Sequence, residues 1–167
     1  MGKKNLFLVR HAEATESGAG QKDIDRALTP TGYQDVPRIG RYLYLKECQP
    51  DVIISSDAVR AQTTAILLAE QLKYERHKIQ YTEEIYKASV RSLLSLINDQ
   101  RNSYTQVLIV GHNPVLTYLA EYLTKEEIGS IAPCGVVHLI CDAESWIELS
   151  EGNVQLIDYM FPEKLNK

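Results

Sequence analysis

The sequence predicts an α/β fold: a three-layer α/β/α sandwich around a mainly parallel sheet, with an antiparallel C-terminal strand or hairpin. Apolar runs of strand length recur at residues 6–9, 52–54 and 106–110, and runs bounded so sharply fit strands buried on both faces. Between them lie segments whose apolar residues repeat at helical spacing, such as Ala61, Ala65, Leu68 and Leu72. The turn Glu151-Gly152-Asn153 separates the last runs, which favours an antiparallel pair there. Strands alternating with helices need crossover connections, and crossovers give a parallel sheet. At 167 residues, one domain spanning 1–167 is expected.

Leu6-Phe7-Leu8-Val9 ends in Arg10-His11, so the charged pair falls at the carboxyl end of the first strand. Residues 12–25 (AEATESGAGQKDID) are small, polar and Gly-containing and read as a loop over that end. Thr29 suits an N-cap and Pro30 the first helical position, with Val36, Ile39 and Leu43 as the buried stripe. Pro37 removes a backbone bond at a cost of about 3 kcal/mol, so a kink or a late start is expected there. Ser55-Ser56-Asp57 can cap a helix that carries Arg60 in its first turn. A weak strand at 79–81 and a helix at 90–98 lead to the strongest strand, 106–110, which ends in Gly111-His112. Asn113 reads as a cap and Pro114 as the opening of the next helix, with Leu116, Leu119 and Leu123 inward. Residues 136–141, 146–149 and 154–159 read as closing strands.

Composition excludes several classes of function. Eighteen basic and 22 acidic residues leave a net charge of -4, which is no footprint for nucleic acid or anionic lipid. No apolar run has spanning length, and residues 1–5 carry no signal-peptide core, so a cytoplasmic protein is expected. Cys48, Cys134 and Cys141 show no CxxC or zinc spacing and read as packed thiols. No cofactor or metal is expected: the sequence has no Walker loop, no GxGxxG and no carboxylate cluster for magnesium.

Arg10, His11, Arg60 and His112 each follow a strand, from three different strands, and can therefore share one rim of the sheet. Two guanidinium forks with a helix start beside them suit a phosphoryl group. With no GxSxG elbow and no CxxxxxR loop, histidine is left as the nucleophile.

Leu8-Val9-Arg10-His11-Ala12-Glu13 resembles the RHG/RHA signature of the histidine phosphatase superfamily, the phosphoglycerate-mutase-like fold. Arg26-Ala27-Leu28-Thr29-Pro30-Thr31-Gly32 resembles its R-x-L-T-x-x-G segment. Ser55 to Thr63 (SSDAVRAQT) and Val110-Gly111-His112-Asn113-Pro114 resemble its S-S-x-x-x-R-A-x-x-T and V-G-H-N-P motifs. The short chain is most similar to the small SixA-type phosphohistidine phosphatases, and Ala12 stands where many members have Gly.

The resemblance implies that His11 is phosphorylated and that Arg10, Arg60 and His112 bind the phosphoryl group. Arg10 and Arg60 would keep His11 unprotonated in the empty site. A protonated or donating His112 would stabilise the transferring group with them. The general acid of the family corresponds to Glu84, with Glu13 as the competitor. Arg26 either touches phosphate or braces the loop, and His77 and His138 lie outside the motifs and read as structural.

An imidazole leaving group has a conjugate-acid pKa near 6.5 and departs with little help, unlike an alkoxide, so an uncertain acid favours P–N bonds. The expected substrate is phosphohistidine in a protein, or a small phosphorylated compound. The alternatives are a mutase-type phosphoryl transferase and a non-catalytic phosphate-recognising module.

Overall fold

The computed structural model describes residues 2–166; Met1 and Lys167, which the predicted domain includes, lie outside the described residues. Six strands form one sheet: β1 (Lys3–Arg10), β2 (Val52–Ser56), β3 (Gln80–Thr82), β4 (Gln106–Gly111), β5 (Val136–Asp142) and β6 (Gln155–Met160). Their order is β3-β2-β4-β1-β5-β6. The pairs β1–β4, β2–β4 and β2–β3 are parallel, and β5 is antiparallel to both β1 and β6. This is the expected sheet, closed by an antiparallel pair.

Alternation along each strand divides the core in two. Leu6, Leu8, Val107 and Ile109 point to one face, where they meet Leu93 and Ile97 of α4 (Val90–Asn98) and Leu116 and Leu119 of α5 (Val115–Thr124). Phe7, Val9, Leu108 and Val110 point to the other, against Val36 and Ile39 of α1 (Pro30–Leu45) and Ala61, Ala65 and Leu68 of α2 (Val59–Leu72). Burial of strands on both faces leaves only their ends open to solvent, and the carboxyl ends of β1 and β4 lie side by side through the pairing Arg10↔Gly111.

Several local expectations are corrected. Residues 146–149 are not a strand: Trp146–Glu148 is a 3-10 turn closed by a capping box between Ser145 and Glu148. Its Trp146 is fully buried and donates from Nε1 to the Tyr104 carbonyl at 2.9 Å. The turn at 151–153 therefore does not join β5 to β6 directly; the connection is the whole of 143–154. The first helix does not start late: it runs from Pro30 through Pro37 to Leu45, with the Thr29 hydroxyl accepting from the Gly32 amide at 3.1 Å. Residue Tyr33, whose carbonyl loses its partner to the proline ring, is exposed, so water can satisfy it. The second helix has Ala58 at its N-cap, and Ser56 Oγ instead accepts from the Ala58 amide. Pro114, not Asn113, stands at the N-cap of α5, and it follows a cis Asn113–Pro114 bond. All three cysteines are free and buried, and burial pushes Cys48 up to about 12.

Among the described residues no helix is long and apolar enough to cross a membrane.

Candidate active site

Arg10 is the last residue of β1, and His11 continues the line of the strand. The His11 amide donates to the Gly111 carbonyl at 3.0 Å, and its carbonyl accepts from the Cys134 amide at 3.1 Å. The backbone of the histidine is thus held between β4 and the turn before β5. Ala12 is fully buried and donates to Thr64 Oγ1 of α2 at 3.0 Å, so its methyl group is accommodated in the core. Gly32 explains its motif: a Cβ there would lie 2.4 Å from the Glu13 carbonyl oxygen, which accepts from the Thr29 amide. The close approach locks the loop after His11 onto the start of α1.

The four residues expected on one rim do meet. Arg10, His11, Arg60 and His112, with Arg26, line a single cavity of about 480 Å³. The two imidazoles lie 5.2 Å apart between ring centroids. Nδ1 of His11 lies 2.8 Å from the Ala12 carbonyl. A carbonyl can only accept, so the proton sits on Nδ1 and the Nε2 lone pair is free. Burial is the main reason the His11 pKa falls to about 3; His112, Arg60 and Arg10 lower it further, against the bond to Ala12. The arginines therefore act in the expected direction but are secondary to desolvation. His112 falls to about 4, again through burial first, so it is a neutral ring and not an imidazolium in the empty pocket. Its Nε2 pairs with Ser56 Oγ at 2.8 Å.

Both arginines are anchored in the same way. Nη1 of Arg10 donates to the Ile131 carbonyl and Nη1 of Arg60 to the Asp23 carbonyl, each at 2.8 Å. Nε of each is buried with no hydrogen-bond partner in the protein. A buried unpaired donor costs about 1–3 kcal/mol, more when charged, and the two guanidinium groups that line one cavity give it the positive charge an anion needs.

Two further lining residues carry no motif signal. Asp23 sits in a 3-10 turn (Asp23–Asp25) of the loop over the site. Its carboxylate accepts from Tyr86 Oη at 2.6 Å, Arg26 Nη1 at 2.9 Å and Arg60 Nη2 at 3.0 Å. These bonds, Tyr86 first, hold it far below the usual carboxylate range, and the same bond to Asp23 raises the Tyr86 phenol. Tyr86, at the end of the short α3 (Glu83–Tyr86), also meets His112 edge-on at 5.5 Å. Nothing in the spacing of the tyrosines marked it; Asp23 was legible only as one acid among several in the loop.

The remaining residues divide between the cavity and other parts of the fold. Glu84 is exposed and is not among the residues lining the cavity, and Glu13 is engaged by Thr29 Oγ1 at 2.9 Å. Arg26 braces the loop, donating to the Thr15 carbonyl as well as to Asp23. Asn113 lines the cavity and donates to the Ile131 carbonyl. His138 stacks on Phe7 and pairs with Asn5, while His77 is exposed beside Glu75. Among the described residues no group of three or more His, Cys, Asp or Glu is placed to hold a metal ion.

A sequence profile of the histidine phosphatase superfamily (branch 1) matches residues 6–90, which carry three of the four motifs. The chain belongs to the histidine phosphatase superfamily. Within the superfamily it is of the small SixA type. A crystal structure of an Agrobacterium tumefaciens protein assigned as the phosphohistidine phosphatase SixA superposes with a TM-score of 0.82 at 27% identity, covering 95% of this chain and 98% of that one. A SixA structure from Nakamurella shares the fold, with a TM-score of 0.83 at 22% identity over 97% of this chain and 98% of that one. An uncharacterized Mycobacterium tuberculosis protein is 25% identical over 163 residues, 92% of this chain and 99% of its own. The fourth motif, around His112, lies outside the matched segment, and the structure places it in the same cavity as the others.

Proposed function

We infer that this cavity is the active site of a phosphatase that uses His11 as nucleophile and hydrolyses phosphohistidine in a protein. The observation that carries the reading is the hydrogen bond from His11 Nδ1 to the Ala12 carbonyl, which leaves Nε2 unprotonated in the cavity that the Arg10 and Arg60 guanidinium groups also line. In the first step the substrate ring, already protonated by solvent on its other nitrogen, is displaced: the Nε2 lone pair attacks phosphorus, the P–N bond breaks, and its electron pair leaves with a neutral imidazole. The result is a phosphoryl group on His11 Nε2 and a free histidine side chain on the substrate. Arg10 and Arg60 hold the equatorial oxygens where charge spreads during transfer, and neutral His112 donates to one of them. Water then attacks the same phosphorus, the P–Nε2 bond breaks back onto His11, and inorganic phosphate and a proton are released.

The substrate class follows from the leaving group. Neither Glu84 nor Glu13 lines the cavity, and Asp23, the carboxylate that does, is held ionised by Tyr86, Arg26 and Arg60 and has no proton to give, so the site offers little for an alkoxide but enough for an imidazole. The Agrobacterium protein of similar fold, assigned as a phosphohistidine phosphatase, supports the same class.

The test is His11→Ala on a phosphohistidine peptide. Turnover is expected to fall by about four orders of magnitude or more with an unchanged circular dichroism spectrum. Phosphorus label trapped on the wild type is expected to be acid-labile and alkali-stable, as a phosphoramidate is. Wild-type-like turnover by the variant would remove His11 from the mechanism.

A further inference from the structure

A second cavity of about 360 Å³ opens beside the catalytic one, and the two share Tyr86, His112 and Asn113 as a common wall. His11, Arg10 and Arg60 line only the catalytic cavity. In-line displacement sends the leaving group away from the attacking nitrogen. The neighbouring cavity adjoins the catalytic one at His112 and Tyr86 and is not lined by His11.

Its chemistry differs from that of the catalytic cavity. Beyond the shared wall it is lined by Ala88, Ser89, Val90, Pro114, Val115 and Tyr118, and none of its lining residues is an acid, lysine or arginine. Such a wall has nothing to pair with a carboxylate or a second phosphate, and burying either against it would be costly. It suits an uncharged ring and the chain bearing it. Of its lining, Tyr118 is 57% exposed. The groove of about 510 Å³ beyond Val90 is mixed in character, with Leu94, Tyr122 and Ile147 beside Arg91, Asn98 and Asp99.

Resting on the phosphatase reading above, we propose that the cavity bounded by Val90, Pro114, Val115 and Tyr118 is the leaving-group subsite, which takes the imidazole ring and the chain that bears it. The subsite selects against small substrates with anionic leaving groups by leaving their charge unpaired.

The experiment compares kcat/KM for a phosphohistidine peptide with that for phosphoramidate, whose leaving group is only ammonia. In Tyr118→Glu the ratio of the two is expected to fall roughly tenfold or more, and Tyr118→Phe is expected to restore it. Tyr118 is solvent-exposed, so the variant keeps its core intact. A ratio within about twofold of wild type, or equal losses on both substrates, overturns the subsite. Binding of a non-hydrolysable phosphoryltriazole peptide, measured by calorimetry, is expected to weaken by a similar factor in Tyr118→Glu, and unweakened binding counts against the subsite. Because the analogue reports binding without turnover, a wild type that hydrolyses nothing yet binds the analogue selectively would sink the catalytic reading and leave the subsite standing.

Discussion

The imidazoles of His11 and His112 lie 5.2 Å apart between centroids and tilted by 55°, although 100 residues separate them in the chain. They meet because β1 and β4 are adjacent parallel strands whose last paired residues are Arg10 and Gly111. Two imidazoliums at that distance beside Arg10 and Arg60 would repel strongly, and both rings are buried enough to stay neutral.

Neutrality has a definite pH signature. With folded values of about 3 for His11 and about 4 for His112 against 6.5 unfolded, the unfolded chain binds more protons over that interval. The contribution of these rings to stability is full above about pH 6.5 and is lost as pH falls toward 4 and below. Asp23, with its pKa depressed, acts in the same sense at lower pH still. Long-range nitrogen–proton NMR spectra are expected to show His11 as the Nδ1–H tautomer unchanged from pH 8 to pH 5. An imidazolium at position 11 at pH 6 would contradict the neutrality that burial imposes on the ring.

Asp23 is expected to act as a positioning residue for Arg60. It grips Nη1 and Nη2 of that guanidinium from one side and leaves Nε unpaired. Asp23→Asn keeps the size and the backbone carbonyl that Nη1 uses but removes the charge behind the side-chain bond to Nη2, so Arg60 is held less firmly. We expect kcat to fall roughly ten- to hundredfold with a smaller change in KM, and phosphate inhibition to weaken. Tighter phosphate inhibition in Asp23→Asn would show instead that the carboxylate competes with substrate for Arg60.

The motif residues were legible because their positions follow from chain-local rules. A strand that ends in Arg-His or Gly-His, and a helix with Arg in its first turn, put their charges on one rim once the sheet is parallel. What escaped was set by tertiary contact. Asp23 earns its place only through Tyr86, Arg26 and Arg60, which come from other segments, and no spacing encodes that convergence. Residues 146–149 were misread for another reason: the apolar pattern Trp146, Ile147, Leu149 looks extended, but Ser145 and Glu148 carry a capping-box signature that outcompetes it. Asn113 was misplaced as a cap because its Oδ1 accepts from the Thr117 hydroxyl and not from a backbone amide of the first turn.

Gly32 tests how the loop after His11 is held. Helix propensity alone would favour Gly32→Ala by up to about 1 kcal/mol. The new Cβ would sit 2.4 Å from the Glu13 carbonyl oxygen, and such overpacking against backbone typically costs about 1–3 kcal/mol. The clash is expected to win. Urea unfolding should give a lower midpoint for Gly32→Ala, with activity reduced because the loop after His11 moves. An equal or higher midpoint would mean that the loop yields freely.

Glu84 offers the sharpest check on the leaving-group argument. A true general acid contributes about 10²–10⁴-fold, and its loss is felt most where the departing atom is a poor leaving group. Glu84 is exposed on the four-residue α3 and lies outside both the catalytic cavity and the apolar one beside it. An imidazole leaves with a conjugate-acid pKa near 6.5 and needs no donor held against it. Glu84→Gln is therefore expected to keep phosphohistidine hydrolysis within about twofold of wild type between pH 6 and pH 8. A loss of two orders of magnitude on that substrate would place the carboxyl within reach of the departing nitrogen during turnover, and would require α3 to move toward His112 when substrate binds.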